Sequence, residues 1–516
     1  MSAVVRIAPA PESADKPRPS DLTSSTPSYT LFCGTESADV LSLSISGSDF
    51  GTTTATPARV ATTSNPLNLK DNHGGGGLGV EWILIHPNEK WLYAFISFWD
   101  LAPCELVTFE NVDQQSVSGG LREVSMLLLR TPSATRLLVI TSPLCECLHE
   151  QVSRTSTEGY QGAHAVFLPA TIAVACYHSG TVALFAVGTD GGPATLICNV
   201  ACPGPKGVPR SVPKAPFKDP GFSASHAHGF EFDADHTMLL VADAGMGTVV
   251  AYKLSPHPGS TGALTIDAPP VSSPVARPRH IFGPPSQEAL AESVGHRPRH
   301  LAFASARCDV LLVVQECSNA ISAHRYDRSA GTLAPAHAVV GANAFGPSGL
   351  CCGVARAFAS CTPLVPGVLP VVCFGIAAAA EIAVHAKSGC VVVSNRNFVI
   401  GRGESGPAPQ QRPGSLRVYA PIRVVDGLLT DLTPVQDVQV GANPRHVVFV
   451  RSRDKGAAAA GADAGRSGSE VLLVGVTGGV EVFDVSDEGV LSFRSRTSFT
   501  SFEKDVNCVA VAGLKL

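Results

Sequence analysis

Helix-length amphipathic stretches are scarce in this 516-residue sequence, which leaves little from which to build a helical protein. Charge is scarce as well. Asp, Glu, Lys and Arg make up 16% of the chain and sum to a net charge of −5, so no global basic field attracts nucleic acid. With 45% hydrophobic residues, that low charge also excludes a disordered chain. No run is long enough to cross a membrane as a helix. The most apolar stretch, "VLPVVCFGIAAAA", ends at Glu381 and carries Pro and Gly, which reads as core. The first 27 residues have no hydrophobic signal core, and Glu12, Asp15 and Asp21 count against a transit peptide. They read as a disordered tail. The 15 cysteines contain no C-x-x-C pair. Cys176, Cys308, Cys317, Cys373 and Cys390 are scattered through apolar phrases, which points to free thiols, a reducing compartment and a cytoplasmic protein. Cys145 and Cys147 with His149 make only an incomplete zinc set. No metal or cofactor is expected.

What the chain does have is glycine (49), proline (39) and one recurring phrase. Six stretches share it: a short apolar run, a polar break, a longer apolar run, a small-residue turn and another apolar run. They open at "EWILIHP", "HAVFLPA", "HGFEFDA", "RHLAFAS", "EIAVHAK" and "HVVFV". Runs of four to eight apolar residues bounded by turn residues are strands, here named A, B and C, and a weaker fourth, D, often follows. Two fragments remain. "YTLFCGTESADVLSLSIS" resembles B and C without A, and "VNCVAVAGL" resembles A alone. Together they complete a seventh repeat. Four antiparallel strands repeated seven times, with one repeat shared by the chain ends, predict an all-β, seven-bladed β-propeller over residues 28–516. Two separate β-domains are the alternative, and they leave both end fragments without partners. Four stretches read as loop insertions: 203–220, 268–298, 403–414 and 454–470.

In a blade, A lines the central channel and B runs antiparallel beside it. The start of A and the end of B therefore share one mouth of the channel. Four consecutive blades place ionisable groups there: His226, His228 and Asp243; Arg299, His300 and Glu316; Glu381 and Arg396; Arg445 and His446. Other blades offer less: His164 and Tyr177 in one, Ser97 in another. Singly, each fits a solvated rim, a turn cap or a surface ion pair. His226 and His228 alternate along a strand, so they are expected on one face, a spacing that also suits a metal. Together the set reads as a binding site, with His228, His300 and Arg445 as substrate-binding candidates. Lys206, Arg210, Lys214 and Lys218 of the 203–220 insertion are expected near the same mouth.

Several phrases resemble the seven-bladed propeller lactonases, which include propeller-type 6-phosphogluconolactonases and carboxy-cis,cis-muconate cyclases. They are "ACYHSGTVALF", "SHAHGFEFDADHTMLLVADAGMGTVVAY", "RPRHLAF", "VVQECSNAISAHRYD", "AEIAVHAKSGCVVVSNR" and "NPRHVVF". The resemblance runs from about residue 78 onward, and its first part is poorly matched. It implies a catalytic cluster of His226, Arg299, Glu316 and Arg396. Glu316 or His226 would serve as general base, and the arginines would hold an anion or a developing oxyanion. The implied activity is hydrolysis of a sugar lactone, 6-phosphogluconolactone above all, which places the chain in the pentose phosphate pathway. The alternatives are a muconate-type cycloisomerase and a propeller that only binds. The expected partner is a small anionic lactone, with no nucleic acid and no membrane. Two departures leave the substrate open: Cys176 stands where the family has Asn, and "DAGMG" lacks a carboxylate at Gly247.

Overall fold

The structure, a computed structural model, describes residues 28–35, 39–46, 58–62, 79–97, 103–111, 121–122, 151–168, 170–204, 225–267, 269–275, 297–316, 319–341, 373–401, 413–451, 470–498 and 506–512. The N-terminal 27 residues, the Cys145–Cys147–His149 group, the lysines of the 203–220 stretch, and most of the 403–414 and 454–470 stretches lie outside the described residues.

Seven sheets of four or five strands radiate from a central channel. Their innermost strands are Val506–Ala512, Gly79–Ile85, Gly162–Leu168, Ala227–Phe232, Pro298–Phe303, Cys373–Val384 and His446–Arg451. Each neighbours the next, and the last neighbours the first, so the ring is closed. Blade 1 joins the chain ends. Val506–Ala512 pairs antiparallel with Ser28–Thr35, which is followed outward by Asp39–Ser46 and Ala58–Thr62. The expected pairing of "VNCVAVAGL" with the N-terminal strands is present. One part of the 268–298 stretch is not loop: Val271–Pro274 pairs with Thr248–Ala251 and widens blade 4. Three of its four residues are exposed and only Ser273 is buried, which suits a sheet margin that a Pro-rich composition conceals.

The packing explains why the second strands read as unbroken apolar runs. In Val310–Gln315 every residue is buried. Val310, Leu312 and Val314 face blade 6, whereas Leu311 and Val313 face blade 4. A strand between two blades buries both faces, so the alternation of two expected of a half-exposed strand disappears. The same logic yields seven apolar clusters, one at each blade interface. Val506 and Val509 of the last strand belong to the interface between blades 7 and 1, and Cys508 to that between blades 1 and 2. The C-terminal strand therefore seals two interfaces at once.

Candidate active site

One local device sets the channel mouth. In six of the seven blades the pairing of the innermost strand with its neighbour slips register near that mouth. The slip leaves an extra residue on the inner strand: Asn507, Glu81, Ala163, one of His228 and Gly229, Arg299, and one of Ala380 and Glu381. Such bulges re-aim side chains that strict alternation would send between the blades. Three blades add a second device. Gln161, Arg297 and Asn443, just ahead of their inner strands, adopt φ of 45°, 49° and 51°. This left-handed geometry is uncommon for residues with side chains. In Arg297-Pro298-Arg299 and Asn443-Pro444-Arg445 it recurs in the same sequence context.

These devices frame a cavity of about 210 Å³ lined by Glu81, His228, Arg297, Arg299, Glu316 and Arg445, with Gln161, Tyr177 and His178 completing the wall. Glu316 anchors one side. Its carboxylate meets Arg299 Nη1 at 3.4 Å and is hydrogen-bonded by Arg396 Nη2. Arg299 Nε also donates to the Ala380 carbonyl at 3.1 Å, tying blade 5 to blade 6. Burial alone would raise the Glu316 carboxyl. Arg396, Arg299 and Arg297 outweigh it and hold the group at about 2. Across the cavity, Arg445 Nη1 donates to Asn507 Oδ1 at 2.6 Å, and Arg445 Nη2 lies 3.5 Å from Glu81 Oε2. Asn507 Nδ2 in turn donates to the Val80 carbonyl at 3.2 Å. The strand that closes the ring thus also holds a pocket arginine.

Of the seven candidate residues, His228, Arg299, Glu316 and Arg445 line the cavity. Arg396 stands behind Glu316 and reaches it directly. His226 and His300 sit elsewhere. His226 precedes the strand, its amide is capped by Asp243 at 2.8 Å, and its ring stacks on Tyr177 at 4.6 Å. His228 meets the same Tyr177 ring edge-on at 5.6 Å, from the bulge at 228–229. His300 follows the bulged Arg299 and turns away from the mouth, where its Nδ1 meets Glu381 Oε1 at 2.8 Å. Burial pushes the Glu381 carboxyl up and the His300 imidazole well down, so the contact is a hydrogen bond between groups driven toward neutrality. His164 packs on the His300 ring, and Trp82 packs on both His164 and His446, so a cluster of rings surrounds this contact. The expectation of a solvated rim fails for the arginines: Arg299 and Arg396 are only 6% and 5% exposed. Burial, with Arg299 beside it, keeps the His228 imidazole uncharged at neutral pH.

Glu81, Arg297, Gln161 and Asn507 escaped the sequence reading. Glu81 had a signal, since it opens strand A of its repeat as Glu381 does in blade 6. Arg297 lies two residues ahead of Arg299 and needs the left-handed turn to reach the cavity. Among the described residues no group of three or more His, Cys, Asp or Glu is arranged to hold a metal ion, and the eight cysteines whose side chains are described are free thiols. No helix among the described residues is long and apolar enough to cross a membrane.

Solved structures with the same architecture include a "putative 6-phosphogluconolactonase" from Bacteroides fragilis. It is 16% identical, with a TM-score of 0.55, over 96% of this chain and 100% of that one. A protein of the same description from Bacteroides uniformis is 14% identical, with a TM-score of 0.56, over 94% and 99% of the two chains. A protein from Lactobacillus plantarum is 16% identical, with a TM-score of 0.54, over 94% and 99%. At such identities the likeness carries the fold. No curated protein sequence matches the chain. The sequence model of the family described as "Lactonase, 7-bladed beta-propeller" matches residues 148–460, more than half of the chain, from the outermost strand of blade 2 past the innermost strand of blade 7. The chain belongs to the seven-bladed β-propeller lactonase family.

Proposed function

We propose that this protein hydrolyses an anionic sugar lactone, with 6-phosphogluconolactone as the substrate and 6-phosphogluconate as the product. The observation that carries the reading is the charge of the cavity. Arg297, Arg299 and Arg445 line it and Arg396 backs it, against only two lining carboxylates, Glu81 and Glu316. A buried surplus of guanidinium attracts an anion and repels a cation. The volume, about 210 Å³, suits a small ring compound rather than a polymer. Ester hydrolysis needs positive hydrogen-bond donors where the carbonyl oxygen becomes an oxyanion, and Arg299 and Arg445 supply them from blades 5 and 7. Glu316 serves as a positioning residue. It is too acidic to take a proton from water at neutral pH, and its contacts hold the arginine forks in place. In this reading its job differs from that of the general base, a role that the resemblance gave to Glu316 or His226.

The test is acid release in a pH-stat from 6-phosphogluconolactone, from unphosphorylated gluconolactone and from a carboxylated muconolactone. The carboxylated compound belongs in the panel because an arginine fork takes carboxylate and phosphate alike. Hydrolysis of the phosphorylated lactone well above the spontaneous rate, with a lower KM than for gluconolactone, is the expected outcome. Preference for the muconolactone would reassign the substrate. Binding without turnover of any of the three would make the propeller a binding protein.

A further inference from the structure

The two carboxylates that line the cavity have opposite surroundings. Glu316 is held by two guanidiniums, with Arg297 close by. Glu81 has one, Arg445, at 3.5 Å, and that guanidinium is itself engaged by Asn507 at 2.6 Å. Glu81 is the extra residue in the bulge between Val80 and Trp82, so the main chain of an inner strand, rather than a loop, aims it into the cavity. It is 8% exposed. Burial raises its carboxyl above the ordinary value, opposed by Arg445 and Arg299. Cys104 and Cys508 also feel Glu81. Burial pushes both thiols far up, so neither competes for a proton. Pairs of groups whose environments drive their proton affinities apart commonly divide acid–base and electrostatic roles between them.

We infer that Glu81, rather than Glu316 or His226, is the general base of lactone hydrolysis, an inference that rests on the lactonase reading above. Glu81 takes a proton from water as the water oxygen bonds to the lactone carbonyl carbon. The carbonyl π pair moves onto oxygen, where the cavity guanidiniums receive the charge. When the tetrahedral species collapses, the ring C–O bond breaks, and the carboxylic acid of Glu81 returns its proton to the departing alkoxide. The new carboxylic acid loses its own proton to solvent, so each turnover consumes one lactone and one water and releases one acid.

Glu81→Gln keeps the shape and removes the basicity. Its kcat on 6-phosphogluconolactone should fall about 10²- to 10⁴-fold, while it still binds 6-phosphogluconate, more tightly than the wild type because the carboxylate that opposes the bound anion is gone. A second readout does not depend on turnover. Bringing an anion beside Glu81 raises its proton affinity, so calorimetry of 6-phosphogluconate binding in buffers of different ionisation enthalpy should show more proton uptake by the wild type than by Glu81→Gln. Glu81→Asp, which keeps the carboxyl but withdraws it from the cavity, should retain the acid limb of the pH profile at reduced kcat. This variant also covers the case in which the amide fails to fold. A Glu81→Gln enzyme as fast as the wild type, or proton uptake equal in the two, overturns the inference and leaves the lactonase reading standing. A wild type that hydrolyses no lactone overturns both.

Discussion

Replacing Glu316 with Gln should unfold the protein more easily, not merely slow it. The carboxylate is surrounded by Arg299, Arg396 and Arg297, and its side chain is only 18% exposed. Holding a carboxyl at about 2 rather than at its ordinary 4.5 corresponds to about 3 kcal/mol of native stability at neutral pH. Breaking a buried ion pair by removing one partner costs a similar roughly 3–5 kcal/mol, because the remaining charges stay buried. Because the folded-state value is depressed, this stabilisation is complete above pH 4.5 and disappears as the pH falls toward 2. Guanidinium-chloride unfolding of wild type and Glu316→Gln should therefore show a constant gap between pH 8 and 5 and a shrinking one below. Arg396→Met in the Glu316→Gln background should recover part of the loss, since it removes one uncompensated cation. Equal stability of the wild type and Glu316→Gln at pH 7 is the contrary result. It would mean that Glu316 is solvated and available as a base, as the sequence alone had implied.

Removing residues 505–516 should strip the innermost strand from blade 1, open the interfaces on both sides of it and release Arg445 from Asn507. The truncated protein should aggregate or lose cooperative unfolding by calorimetry, and a soluble truncation with an unchanged Tm would count against the closed ring. Gly229→Ala should be disproportionately harmful for one methyl group. The added Cβ would lie 2.4 Å from the Arg299 carbonyl oxygen and 3.0 Å from His300 Cα, which are main-chain atoms that cannot swing aside. A loss of roughly 1–3 kcal/mol, typical of overpacking, should come with reduced turnover because Arg299 moves, and an unchanged Tm and kcat would show that the bulge is not a fixed feature.

The architecture was legible in the order of the amino acids. A strand packed between two blades must be apolar on both faces, so the second strands stand out as short unbroken runs such as "VLLVV", and seven of them can be counted. The orphan strand at each chain end then required closure. The sequence also determined which residues begin or end strands at one mouth, and this brought Arg299, Glu316, Arg396 and Arg445 into view. Tertiary structure decided the rest. A bulge exists only in the pairing of two strands, and it inserts one residue where a period of two predicts none. That is why His300 meets Glu381 and why Glu81 and Asn507 reach the site. Proton affinity is decided at the same level. Glu81 and Glu316 are the same side chain in the sequence, and it is the guanidiniums supplied by blades 5, 6 and 7 that hold the Glu316 carboxyl down, while burial raises that of Glu81.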